Sequence, residues 1–162
     1  MTRRIAFLFL VTAVLSFGIG ATLAGLSDSG TANGEITAGS WDSPEGCSHG
    51  FWKTHEVEWT VFTPGDMIED VFDVPDEYGL DGDTLGVALD YSGGSGDAGG
   101  AQILLKQAVA AVLNAEHPEI DYSRSVEDVI AAVNSALASG DRGVMEALAA
   151  ELEADNDLGC PL

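Results

Sequence analysis

The sequence predicts a mainly α-helical fold, a small bundle built around one buried central helix and closed by a terminal disulfide. Three observations carry this reading. Residues 101–116 are apolar on nearly every side, two amphipathic segments with good capping residues follow, and the two cysteines, Cys47 and Cys160, stand at opposite ends of the folding region.

The first element is an address rather than a fold. Arg3 and Arg4 precede an uncharged apolar run that ends with small residues at Thr22 and Ala24, the layout of an export signal, with cleavage expected after Ala24. The rival reading is a retained membrane anchor, because residues 5–24 reach the ~20 apolar residues that span a bilayer. Gly18, Gly20 and the small residues of the second half favour removal. Arg3-Arg4 also fits a twin-arginine signal, so the export route stays open between that and the general secretory path. No cysteine near the signal's end offers a lipid acceptor, and no Asn-x-Ser/Thr site is present.

Residues 25–45 are rich in Gly, Ser, Thr and Asp and predict a flexible lead-in, with the helical domain spanning 46–162. Short helices are expected over 66–72 and 84–91, separated by punctuated stretches at 75–83 and 92–100. The central helix over 101–116 holds Ile103, Leu104, Leu105, Val109, Val112 and Leu113 with five alanines, leaving Gln102, Lys106, Gln107 and Asn114 polar. His117-Pro118 stops it. Ser125 then caps a helix with Glu127 and Asp128 in its first turn and an apolar stripe of Val126, Ile130, Val133 and Leu137, closed by Gly140. Asp141 caps a last helix with Val144, Leu148 and Leu152 spaced by four.

Charge narrows the function classes. The 162 residues carry 27 acidic against 6 basic side chains, a formal charge of −21. Nucleic acid is excluded as a partner by the scarcity of cations that could displace its counterions. Loss of residues 1–24 removes Arg3, Arg4 and no acid, so the remainder carries −23. Self-repulsion on that scale opposes a compact state at ordinary ionic strength, and molar salt, with a Debye length of ~3 Å, relieves it. A halophilic archaeon is the expected source, and the exterior of the cell the expected place. An acidic surface protein that gathers divalent cations loosely through Asp66, Glu69, Asp70, Asp73, Asp76, Glu77, Asp81 and Asp83 is the rival; a solvated acidic face is the plainer reading.

Two readings of the cysteines stand. An exported protein with an even pair predicts a Cys47–Cys160 disulfide. Cys47, His49 and His55 fall within nine residues, and with Cys160 or His117 they would make four zinc ligands, although the spacing matches no strong zinc signature. Phe51, Trp52 and Trp59 offer either a ligand-contacting aromatic platform or core filling, and core filling is the commoner use of large aromatics.

Other motifs fail on context. Gly94-Ser95-Gly96-Asp97-Ala98-Gly99 has dinucleotide-type spacing without the strands that motif needs, and reads as a flexible loop feeding the central helix. A calcium loop starting at Asp81 lacks acids at Leu85 and Ser92, and Asp97 breaks a nucleophile elbow around Ser95. No cofactor is called for and no enzyme class gains support.

Two resemblances add to this. Gly20-Ala21-Thr22-Leu23-Ala24-Gly25-Leu26-Ser27-Asp28-Ser29 with Ile36-Thr37-Ala38-Gly39-Ser40 resembles the SipW-dependent type of signal peptide, found on secreted matrix and filament proteins of the TasA and camelysin kind and on archaeal surface proteins. It covers about residues 1–42 and implies export; the β-rich mature domain of those proteins is not the fold read here. The segments 46–55 and 104–115 and the ending Asp155-Asn156-Asp157-Leu158-Gly159-Cys160-Pro161-Leu162 are similar to a module of bacterial and archaeal secreted proteins. That module opens with Cys-x-x-Gly-aromatic-Trp-Lys-x-His and closes on Asn-Leu-Gly-Cys-Pro; Asp157 here departs from a second Asn. It implies an extracellular domain with bridging cysteines. The expectation is an exported, non-catalytic surface or matrix component acting through protein or glycan contacts. A metal-binding protein and a membrane-tethered subunit are the alternatives.

Overall fold

Ser48 starts the first helix by accepting a hydrogen bond from the Phe51 N–H, and the chain from there onward is helical with short irregular links. The computed structural model describes residues 43–162; the signal, its cleavage point and most of the lead-in lie outside the described residues. Five α-helices follow in order: α1 His49–Thr54, α2 Leu85–Ala88, α3 Gly96–Glu116, α4 Val126–Ala138 and α5 Arg142–Asn156. Single 3₁₀ turns at Glu56–Glu58, Ile68–Asp70 and Asp76–Tyr78 lie between α1 and α2. Among the described residues there is no strand, only isolated antiparallel bridges joining Gly46 to Gly159 and Met67 to Thr84. No described helix is long and apolar enough to cross a membrane.

The long apolar segment is the centre of the bundle, as its all-round apolar pattern requires. Leu104, Leu105, Ala108, Val109, Ala110, Ala111 and Val112 have no exposed surface, and α5, α4, α1 and α2 all pack on α3. Its start differs from the expected one. The helix begins at Gly96 instead of Ala101, with Ser95 as its extended N-cap residue.

The reason is packing of the glycine segment, which is not a flexible loop. Gly99 lies so close to the backbone of Gly94 that a Cβ would overlap it, and a Cβ on Gly100 would come within 3.0 Å of Arg142 Cγ. Arg142 then donates through Nη1 to the carbonyls of Gly94 at 2.7 Å and Gly96 at 2.9 Å, and through Nε to Glu146 at 2.8 Å. The glycine spacing that imitates a nucleotide loop serves close approach of two backbone segments.

Both later helices start where their caps predict. Ser125 Oγ accepts from Asp128 N at 3.1 Å, and Asp141 Oδ1 accepts from Gly143 N at 2.7 Å and Val144 N at 3.3 Å. Their buried faces are rotated from the expected stripes. In α4 the buried set is Val129, Val133, Ala136 and Leu137, with Val126 and Ile130 at its edge. In α5 it is Met145, Ala149, Leu152 and Asn156, and Val144 is exposed. Both helices pack on α3 and on each other, so the wet boundary depends on where those neighbours lie and not on the apolar stripe alone. The 66–72 and 84–91 segments are helical for less than their expected length, one as a 3₁₀ turn and the other as the single turn of α2. The punctuated stretch at 75–83 is packed, with Tyr78 and Leu80 buried and the Tyr78 hydroxyl donating to the Leu137 carbonyl at 2.7 Å.

Candidate functional site

Asn114 is an amide in the most buried helix of the described residues, seven residues after Gln107 and therefore on the same side of α3. Both are buried. An amide there must find partners or lose several hydrogen bonds to water, so it organises whatever docks on it. Asn114 Oδ1 accepts from Cys47 N at 2.8 Å and from Trp52 Nε1 at 3.1 Å. Its Nδ2 donates to the Cys47 carbonyl at 2.9 Å and to Asn156 Oδ1 at 3.0 Å. Asn156 also accepts from the Tyr122 hydroxyl at 2.8 Å, and its Nδ2 donates to the Gln107 carbonyl at 3.1 Å and to Gln107 Oε1 at 3.3 Å. Every buried side-chain polar atom among the described residues has a partner. Residues from 46–55, 104–115 and 155–162 meet at this knot and form one packing unit.

The knot places the cysteines. Cys47 and Cys160 form a disulfide across a sequence separation of 113, with Cα atoms 4.4 Å apart. Gly46 beside it fits under the end of α5, where a Cβ would overlap the Asp155 carbonyl. Gly46 N donates to the Gly159 carbonyl at 3.1 Å and Glu45 N to the Asp121 carbonyl at 2.9 Å.

Around this end runs an open groove of about 750 Å³. Pro44, Pro118 and Pro161, with Ile120 and Leu158, form its apolar lining, and Glu45, Glu119 and Asp121 bring carboxylates to it. A smaller hollow of about 170 Å³ is lined by Phe51, Asn156 and Cys160 among others.

The four residues of the metal reading are not gathered as a ligand set. Both sulfurs are bonded to each other, and among the described residues no three His, Cys, Asp or Glu side chains group as metal ligands. His49 is half-buried; burial pushes its pKa down, and Lys106 nearby adds to the effect. His55 stacks on Phe51 with ring centroids 4.1 Å apart, and its Nδ1 lies 2.9 Å from the Phe51 carbonyl. His117 is buried, accepts from Glu119 N at 3.3 Å and stands 6.0 Å from the Trp52 ring.

The aromatics divide between core and surface. Trp52 has no exposed surface, whereas Phe51 and Trp59 are half-buried, Trp59 donating to the Trp52 carbonyl at 3.1 Å. Of the acidic residues between 66 and 83, Asp66 accepts from Thr63 N at 2.7 Å and from the Thr63 hydroxyl at 2.8 Å, which holds its pKa below the ordinary aspartate value. Asp73 accepts from Asn134 Nδ2 at 2.9 Å and Asp83 from the Tyr91 hydroxyl at 2.6 Å. Glu69, Asp70, Asp76, Glu77 and Asp81 are exposed.

Sequence reasoning missed the amide knot. Its signal was present: Gln107 and Asn114, seven apart and so on one side of the helix, flank six aliphatic residues, and a polar side chain at such a position is bonded to something specific. Neither a family model nor a curated protein nor a solved structure matches this chain.

Proposed function

We propose that this chain is an exported, non-catalytic component of the surface or extracellular matrix of a halophilic archaeon, working through protein or glycan contacts. The observation that carries the reading is the Cys47–Cys160 disulfide, which joins the two ends of the domain and belongs with an oxidising compartment. Support comes also from the −21 charge, which molar salt screens, and from an N-terminal segment laid out as an export signal with a cut after Ala24. A wide groove framed by prolines beside the clasp, and the half-buried Phe51 and Trp59, offer contact surface for such partners.

The test is intact mass of the protein recovered from a high-salt culture, measured native, denatured and reduced, with cells, membranes and medium separated. A start at Gly25 in the medium or on the surface, and a gain of ~2 Da on reduction, is the expected result. Recovery from membranes with residues 1–24 intact would favour the tethered subunit. Free thiols with a zinc adduct lost on denaturation would overturn the reading in favour of metal binding by Cys47, His49, His55 and Cys160.

A further inference from the structure

The two halves of the disulfide have opposite surroundings. Cys47 has no exposed surface, and Asn114 holds its N–H and its carbonyl independently of the bond to Cys160. Cys160 is exposed and lines both hollows beside the bond. A thiolate from solution reaches one sulfur at the surface; to reach the other it must enter packed core.

Opening the bond from the surface side leaves the other contacts of this segment in place. Leu158, Gly159 and Pro161 are exposed, while Gly159 still accepts from Gly46 N at 3.1 Å and Leu162 packs partly buried against the core. Asn156, the last buried residue, is held by the amide knot whatever the state of the sulfurs.

We propose that Cys160 is a site of reversible S-thiolation, with a small external thiol as the reactant. The thiolate attacks Cys160 Sγ, the bond to Cys47 breaks, and its electron pair leaves on Cys47 Sγ, which takes a proton from water. The product is a folded chain with a mixed disulfide on Cys160 and a buried thiol at Cys47. No outside oxidant is consumed, because the disulfide itself is exchanged. The reverse step is set up by Asn114. It keeps Cys47 in register, so its thiolate can attack Cys160 Sγ and expel the small thiol, closing the clasp again. This exchange follows from the surroundings of the two cysteines and needs a thiol supplied where the protein resides.

The test exposes the oxidised full chain, in molar salt at pH 8, to glutathione. Alkylation with iodoacetamide under denaturing conditions and peptide mass mapping then locate the adducts. The expected result is glutathione on Cys160 with alkylated Cys47, about tenfold over the reverse assignment, at a rate first order in glutathione and with unchanged circular dichroism. Asn114→Leu, still oxidised, should lose that positional preference or accumulate open adduct. Equal labelling of the two cysteines, or a rate independent of glutathione and equal to that of global unfolding, would overturn the proposal. Cys160→Ser gives a second check: it should keep the helical signal in molar salt, and loss of that signal would show that opening is not local.

Discussion

Asn114 grips Cys47 by both of its backbone groups, accepting from its N–H at 2.8 Å and donating to its carbonyl at 2.9 Å. One side chain on the central helix thus fixes the segment that carries the disulfide, although 67 residues of chain separate the two. It also ties in Trp52 and Asn156, so three segments distant in sequence share one amide.

Removing that amide should be costly. Asn114→Leu leaves the Cys47 N–H, the Cys47 carbonyl and the Trp52 indole N–H buried without their partner. Each orphaned group costs about 1–3 kcal/mol, so a loss of about 3 kcal/mol or more is expected in urea unfolding in molar salt. A change below about 1 kcal/mol would mean that water or a shifted backbone replaces the amide.

The disulfide should act mainly on the unfolded chain. Closing a loop that spans a sequence separation of 113 gives about 5 kcal/mol by chain entropy. The Cys47→Ser, Cys160→Ser double variant should therefore unfold at markedly lower urea while keeping native helix content in molar salt. Circular dichroism with and without reductant measures it.

Stability should rise steeply with salt. With 27 acids against 6 bases the surface repels itself, and raising ionic strength from 0.1 M to 1 M shortens the Debye length from ~10 Å to ~3 Å. Urea midpoints measured across that range should climb monotonically. A flat profile would remove the physical basis of the halophile reading.

Glycine at 99 should be irreplaceable while glycine at 65 is not. A Cβ at Gly99 overlaps the Gly94 backbone, whereas one at Gly65 meets nothing within 4 Å. Gly99→Ala should cost about 1–3 kcal/mol through displacement of the 93–96 segment, and Gly65→Ala should be neutral within about 0.5 kcal/mol. Thermal melts of the two variants compare them directly.

Alkaline pH should unfold the protein through its tyrosines. Burial raises the Tyr122 and Tyr91 hydroxyls above the ordinary tyrosine value, and the Asp83 carboxylate, which accepts from Tyr91, adds to the shift there. A folded-state pKa above the unfolded one means that the contribution is fully present below pH 10 and is lost as pH rises from there toward the folded value. Phenolate absorbance should therefore appear together with loss of helix, and Tyr122→Phe should remove part of this alkaline dependence.

The legible part of the fold was the part with local causes. Ser125 and Asp141 announce their helices because a capping oxygen acts within three residues, and the run 101–116 declares its burial because no side of it is polar. The cysteine pair was legible as a disulfide through compartment and parity, with a metal site as its rival; the sulfur-to-sulfur bond came from the structure.

Tertiary contact decided the rest. The sequence by itself determined the mainly helical class, the central helix and the acidic character, because composition, periodicity and capping are local properties. Only the folded chain decided that Val129 and Met145 face the core in place of Val126 and Val144, since the burial line depends on how a neighbouring helix lies. It alone turned the 94–99 glycines from an expected flexible loop into the start of α3, because Arg142 arrives there from 48 residues away. And it alone joined Asn114 to Cys47 and Asn156, because a buried amide reveals its need for partners in the sequence but not which partners the packing will bring.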